Sequence, residues 1–169
     1  MFAFTSLKMG ATHPKPDYIT WKELKAYDRI GPTHDLKRTP IIQRAYDEYT
    51  ALLKIQGKSP AKNILHLLFA PSCERRIMIV ENAFPYYLEP GIIHLVAWIN
   101  PLYITKEPDV RKFIFAKLVL RFGRPSSQHI TYIMFKNNPS HGSIPDVEHY
   151  HIFVDSREVA SALIDKKAT

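Results

Sequence analysis

Residues 135–154, FKNNPSHGSIPDVEHYHIFV, predict the end of one strand, a polar loop and a second strand that carries two histidines. Side chains two positions apart on a strand point to the same face, so His149 and His151 are expected to share a face, with Phe153 next in line. Two neighbouring imidazoles beside a loop rich in Asn, Ser and Gly make a site that suits an anion. The alternate residues are expected to form the core side: Tyr150, Ile152 and Val154.

The composition indicates a folded protein with a basic surface. The chain has 169 residues, of which 46% are hydrophobic, so general disorder is excluded and one domain with a substantial core is expected. A formal charge of +7 favours phosphate-bearing partners, among them nucleotides and, through the basic surface, RNA. Cys73 is the single cysteine, which fits a reducing compartment: the cytoplasm is expected, and the nucleus is left open. No apolar run is long enough to cross a membrane, so no membrane partner is expected.

The hydrophobic pattern changes along the chain from helical to alternating. Helices are predicted over 21–28, 40–56 and 60–69, the second with Thr39 as N-cap and Pro40 at its first position. Downstream of these helices the predicted order is β, β, α, β, β, α. These elements are strands at 76–80, 92–99 and 130–135, the histidine strand, and helices at 108–122 and from 157 to about 166.

This order predicts an α+β fold, in which helices pack on one antiparallel sheet of about four or five strands. We expect a flexible arm over 1–17 and a single domain over 18–169. Within that domain the parts are a helical segment at 18–69, a sheet core at 75–155 and a C-terminal helix at 156–169. The helical segment is expected to cover one face or edge of the sheet.

The candidate site extends beyond the two histidines of the last strand. His94 and Trp98 share a face on the strand at 92–99, and both are candidates to line the same cleft. Amides, a hydroxyl and a positive charge near the loop are candidates for holding a phosphate: Asn137, Asn138, Ser143 and Lys136. Two other interpretations stay open for the histidine pair, which are metal binding through the His-x-His spacing and a structural role in the sheet. No cofactor is indicated.

The second half of the chain resembles the histidine-triad (HIT) family of small nucleotide hydrolases and transferases. The resemblance rests on the series ENAFP, IIHLVAWINP, the 108–122 helix, ITYIMFKNN, the loop and HYHIF. It implies that His151 is the nucleophilic middle histidine, that His149 precedes it and that His94 is the histidine of the earlier strand. It also implies that Asn137 or Asn138 lies near the ribose and phosphate of a nucleotide.

A broader resemblance covers nearly the whole chain. The stretches WKELKAYD, LKRTPIIQRAYDEY, ENAFPYYLEPGIIHLVAWI and MFKNNPSHGSIPDVEHYHIF resemble the fungal N-acetylglucosamine-induced protein family, whose biochemical function is unassigned. This resemblance supports a domain over about residues 18–155 and implies no activity.

The position of Phe153 separates two functional hypotheses. Active HIT relatives have histidine or glutamine at this third triad position, whereas phenylalanine neither donates a hydrogen bond nor carries a proton. Hydrolysis or nucleotidyl transfer through His151 would therefore need another proton donor, for which His141, Ser143 and His94 are candidates. The first hypothesis is a nucleotide-binding protein with such an activity, and the second is an interaction module that keeps the fold without the chemistry.

Overall fold

The computed structural model describes residues 17–32, 36–69, 74–103, 105–122, 131–137, 144 and 146–157. Several predicted features lie outside these ranges. They are the arm except for its last residue, Cys73, Asn138, His141, Ser143 and the C-terminal helix beyond residue 157.

The described residues form four helices and four strands. The helices are α1 (Trp21–Ile30), α2 (Pro40–Ile55), α3 (Pro60–Leu68) and α4 (Glu107–Phe122), and the strands are β1 (Ile77–Glu81), β2 (Ile92–Ile99), β3 (Tyr132–Phe135) and β4 (His149–Asp155).

The first three helices begin where hydroxyl side chains cap them. The hydroxyls of Thr20, Thr39 and Ser59 accept hydrogen bonds from backbone N–H groups in the first turns of α1, α2 and α3. In α2 and α3 a proline follows the cap, at a position where its missing N–H has no intrahelical partner to lose. None of the described helices has the length and apolarity that a membrane crossing requires.

The strands form one antiparallel sheet in the order β1-β2-β4-β3. This confirms the predicted α+β class with an antiparallel sheet. Strands β2 and β4 lie side by side at its centre, and Val96 is opposite His151 while Trp98 is opposite His149. The two histidine-bearing strands are therefore direct neighbours.

Both faces of the sheet are buried. Helix α4 covers one face through Val110, Ile114 and Leu118, which pack with Ile152 and Val154. The opposite face carries the histidines and meets two apolar clusters. The first contains residues of α1 with Ile133, Phe135 and Phe153, and the second contains residues of α3 with Val96 and Trp98.

The expectation that Tyr150, Ile152 and Val154 face a core is confirmed, but the histidine face is covered as well. Those three residues are buried, but Phe153 on the histidine face is 0% exposed as well. The N-terminal helices supply the apolar surface that makes the histidine face a second core. On α2, Leu53 is buried whereas its neighbour Leu52 is 52% exposed.

Candidate functional site

The histidines of β2 and β4 lie in contact on the face of the sheet that α1 and α3 cover. His94 and His151 are 5% and 6% exposed, and Nε2 of His94 lies 2.9 Å from Nδ1 of His151. They come together because His94 is opposite Phe153, so that His151 is its diagonal neighbour on the same face. On the other side of His151, the ring of His149 stacks on the Trp98 indole at a centroid distance of 4.6 Å.

Asn137 lies where the sequence places it, at the start of the loop that precedes β4. Its amide nitrogen Nδ2 is 3.0 Å from Nε2 of His151 and 2.7 Å from the hydroxyl of Tyr86. The backbone N–H of Tyr86 in turn points at Nδ1 of His94, at 3.4 Å. Tyr86, His94, His151 and Asn137 thus form a closed ring of polar contacts inside the domain.

One arrangement of protons satisfies this ring with both imidazoles neutral. The Tyr86 N–H donates to Nδ1 of His94, so His94 carries its proton on Nε2 and donates to Nδ1 of His151. His151 then carries its proton on Nε2 and needs an acceptor at Asn137. A half-turn of the Asn137 amide places its oxygen there, where it accepts from both His151 and the Tyr86 hydroxyl. Both ring nitrogens of His151 are then in hydrogen bonds.

Burial keeps these imidazoles neutral. Desolvation, with a smaller effect of the Arg38 charge, lowers the pKa of His94 from 6.5 to about 3. The pKa of His151 lies well below 6.5, first because of its burial and then because of the neighbouring His94, His149 and Arg38 charges. The site therefore contains no imidazolium near pH 7, and its positive charge is that of Arg38.

His149 is bonded differently from His151. Its Nδ1 lies 2.7 Å from the carbonyl oxygen of Val147, so the proton is on Nδ1 and the Nε2 lone pair is available. Among the residues that the structure describes, Nε2 of His149 has no hydrogen-bond partner. Burial lowers the pKa of His149, and the charge of Lys136 lowers it further against the effect of the Val147 hydrogen bond.

A cavity of about 350 Å³ opens beside His149 and His151. Its floor is the histidine face of the sheet, and its walls come from α2, α3 and the turn after β1. Most of the lining is apolar or aromatic, and Arg38 and Asn82 add polar groups. The aromatic lining residues are Tyr46, Tyr49, Phe84 and Trp98.

Arg38 stands at this cavity immediately before the cap of α2. Its Nε donates to the carbonyl of Phe84 at 3.0 Å, and its guanidinium lies 4.4 Å from the ring centroid of Tyr46. The side chain is half-buried, and it forms no ion pair with a carboxylate of the described residues. Glu81 also lines the cavity, but its carboxylate pairs with Arg121.

The structure brings most of the predicted site residues together, with one exception among those it describes. His94, His149, His151, Asn137 and Trp98 are mutually connected as given above. Lys136 does not line the cavity: its ammonium pairs with Glu148 at 2.6 Å and lies over the ring of Tyr150. Asn138 and Ser143 lie outside the described residues.

Arg38, Tyr46, Tyr49 and Tyr86 were not among the site residues predicted from the sequence. A signal for Arg38 exists, because a cation next to a helix N-terminus is electrostatically unfavourable and thus invites a separate explanation. For Tyr46 and Tyr49, the helical periodicity shows that they face inward but not that a cavity lies in front of them.

The described residues offer no ready metal centre. No group of three or more His, Cys, Asp or Glu side chains among them is arranged to hold a metal ion. The pair His94–His151 is joined nitrogen to nitrogen, so a metal would have to displace that contact.

The chain belongs to the DUF3605 family, a family of unknown function, whose pattern it matches over residues 20–155. Among solved structures it is similar to the crystal structure of a protein named HTC1, with a TM-score of 0.56 and 20% sequence identity. The similar region covers 86% of this chain and 94% of HTC1, and at that identity it shows a shared fold. No curated protein matches the sequence.

Proposed function

We propose that the cavity beside the histidine strand binds a nucleotide, with Arg38 meeting its phosphate. The observation that carries the proposal is the half-buried charge of Arg38, which no carboxylate of the described residues neutralises. A guanidinium taken partly out of water is costly without an anionic partner, and it matches a phosphate in both charge and geometry. The neutral imidazoles beside it leave that charge available to a ligand.

The remaining lining supports a ligand with a flat ring. Tyr46, Tyr49, Phe84 and Trp98 present aromatic surface to the cavity, on which a nucleobase stacks favourably. The volume of about 350 Å³ lies within the range of small-molecule sites. An apolar pocket with a few fixed polar groups is the usual form of such a site.

We further propose that the site is HIT-like in its chemistry and transfers a nucleotidyl group. The family resemblance implies His151 as nucleophile, but both of its ring nitrogens are engaged by His94 and Asn137. The geometry favours His149, whose Nε2 lone pair is available to attack phosphorus. In that step an N–P bond forms, the P–O bond to the leaving group breaks, and the leaving oxygen takes a proton from water. His151 and His94 would then act as positioning residues.

Phe153 favours a second candidate function, binding without turnover. Its ring stacks on His94 at a centroid distance of 4.5 Å and packs on Phe135 at 5.2 Å. The third triad position is therefore part of an aromatic core rather than a proton donor. An interaction module that senses a nucleotide would need the cavity and Arg38 but no leaving-group chemistry.

Thermal shift measurements test the binding proposal. AMP and GMP are expected to raise the melting temperature of the wild type, while adenosine or inorganic phosphate alone has less effect. The variant Arg38→Gln is expected to lose the shift, and Arg44→Gln, which changes an exposed arginine of α2, is the matched control. The proposal is wrong if no nucleotide stabilises the protein or if Arg38→Gln responds as the wild type does.

Turnover of adenylated substrates and dinucleotides separates the two candidates. If transfer proceeds through His149, the wild type is expected to turn these substrates over and to form a covalent phosphoramidate. His149→Ala is expected to abolish both. Binding of AMP without turnover of any of these substrates would instead support the interaction module.

A further inference from the structure

The two edge strands of the sheet, β1 and β3, differ in whether side chains bind their outward backbone groups. At the β3 edge, the outward N–H of Met134 donates to the carboxylate of Asp28, and its carbonyl accepts from Arg111. Side chains of α1 and α4 thus occupy the outward backbone groups of Met134, which would otherwise pair with another strand.

Among the described residues, none covers the β1 edge in this way. The N–H of Asn100 donates to the carbonyl of Arg76, and the N–H of Asn82 donates to the carbonyl of His94. These two bonds show which residues of β1 form hydrogen bonds with β2. Even-numbered residues of β1 therefore point their backbone groups toward β2, and Ile77, Ile79 and Glu81 point theirs outward. Among the described residues, nothing donates to or accepts from these outward groups.

A cleft of about 920 Å³ runs beside this open edge, between β1 and α4. Its floor is apolar and includes Phe113. The charged residues that line it are four cations and two carboxylates: Arg75, Arg76, Lys117, Arg121, Glu74 and Asp109.

Three of the cations at the cleft are available to a partner. Arg75, Arg76 and Lys117 form no ion pair with a carboxylate of the described residues, whereas Arg121 is paired with Glu81. The rings of Tyr103 and Phe113 hold two of them in place, with Arg76 at 5.3 Å and Lys117 at 5.4 Å from the ring centroids. Within the described part of the chain, this edge is thus basic, and its outward backbone groups are unpaired.

We propose that β1 accepts an extended acidic segment of a partner protein as a fifth strand. The outward N–H and C=O groups of Ile77, Ile79 and Glu81 pair with the backbone of that segment. Because side chains of a strand alternate, every second residue of the segment faces α4 and enters the apolar cleft beside Phe113. Some of these cleft-facing residues are acidic and meet Arg75, Arg76 and Lys117, and the others are apolar and pack on Phe113. A peptide, unlike a nucleic acid, supplies the backbone groups that a strand edge needs.

The test uses the full-length protein and fluorescence-labelled peptides in which every second residue is threonine. The residues between the threonines are alternately glutamate and valine, so that one face of the strand presents both. The glutamate peptide is expected to bind, and a matched lysine–valine peptide is not. Methylation of alternate backbone amides of the glutamate peptide is expected to abolish binding, because it removes the donors for the β1 carbonyls. Hydrogen exchange at the N–H groups of Ile79 and Glu81 is expected to become slower when the peptide binds. The exchange rate of the Met78 N–H, which is already bonded to β2, is expected to stay unchanged.

Charge variants test the cleft separately from the edge. The double variant Arg76→Glu/Lys117→Glu is expected to lower the affinity for the glutamate peptide by about tenfold or more, because repulsion between like charges replaces attraction. Lys112→Glu, an exposed lysine on the same helix outside the cleft, is the control and is expected to bind as the wild type does. Equal binding of the methylated peptide, no binding of the glutamate peptide, or binding of a single-stranded oligonucleotide in its place would overturn the proposal.

Discussion

His94 and His151 face each other nitrogen to nitrogen across the β2–β4 boundary, at 2.9 Å, in the covered interior of the domain. Like charges at that distance repel strongly, so the pair is compatible with the fold only while at least one ring is neutral. Both rings have pKa values below the ordinary 6.5 because burial disfavours the charged form. This relationship links the stability of the sheet to pH and fixes the ring nitrogens that a ligand can reach.

The first prediction concerns acid destabilisation. Below pH 6.5 the unfolded chain binds protons at these histidines, whereas folded His94 does so only near pH 3. The contribution of the neutral histidines to the free energy of unfolding is therefore complete above pH 6.5 and is lost as the pH falls. The loss is up to about 1.4 kcal/mol per pH unit for each buried histidine. Urea titrations between neutral and mildly acidic pH measure this slope. His94→Gln is expected to reduce it, and an unchanged slope would contradict the assigned neutrality.

The second prediction concerns the hydrogen bond between Asn137 and Tyr86. Asn137→Ala leaves His151 without a partner at Nε2 and is expected to cost about 1–3 kcal/mol of unfolding free energy. Tyr86→Phe is expected to cost about 1 kcal/mol, since only the hydroxyl is lost. Because both groups belong to one network, the double variant is expected to cost less than the two single effects together. Denaturant unfolding of all four proteins supplies the comparison, and strict additivity would show that the two are not coupled.

The third prediction tests whether α1 belongs to the core of the histidine face. Leu24 is fully buried against that face, so Leu24→Ala is expected to lower the unfolding free energy by about 2–5 kcal/mol. Leu52→Ala removes the same atoms from an exposed position on α2 and is expected to change it by less than about 0.5 kcal/mol. Equal effects of the two substitutions on chemical denaturation would mean that α1 does not close this face.

The fourth prediction concerns the tautomers of the two neighbouring histidines of β4. His149 is expected to carry its proton on Nδ1 and His151 on Nε2, because their hydrogen-bond partners differ. Long-range proton–nitrogen correlation spectra of labelled protein distinguish these forms. Addition of AMP is expected to shift Nε2 of His149 most. The same tautomer at both positions would contradict the assigned hydrogen-bond network. A chemical-shift change confined to His151 would show that the ligand contacts His151 and not His149.

The sequence predicts the fold well where local signals are strong. Helix α2 begins at Pro40 after the Thr39 cap, as expected, and β2 has the predicted bounds of 92 and 99. The shared face of His149 and His151 follows from alternation alone. Local signals do not reveal that the N-terminal helices cover the histidine face, because this depends on packing between segments far apart in the chain.

The sequence predicts the site residues on the strands, but it does not predict the residues from other segments that surround them. Histidines two apart and a loop asparagine are visible in the sequence, and so is the histidine of β2. Arg38 and Tyr86 enter the site from segments outside the two histidine strands, one before α2 and one in the turn after β1. Lys136 was predicted to add positive charge near the loop. It lies outside the cavity lining and pairs with Glu148, which its position at the end of a strand does not reveal.

Calorimetric titration of AMP into the wild type, Arg38→Gln and Arg44→Gln tests the central claim most directly. The account predicts one binding site in the wild type, the same affinity in Arg44→Gln, and an affinity at least about tenfold lower in Arg38→Gln, since a charge-assisted hydrogen bond contributes about 1.5–3 kcal/mol. Equal affinities in all three proteins, or no binding to the wild type, would contradict the assignment of this cavity to a phosphorylated ligand.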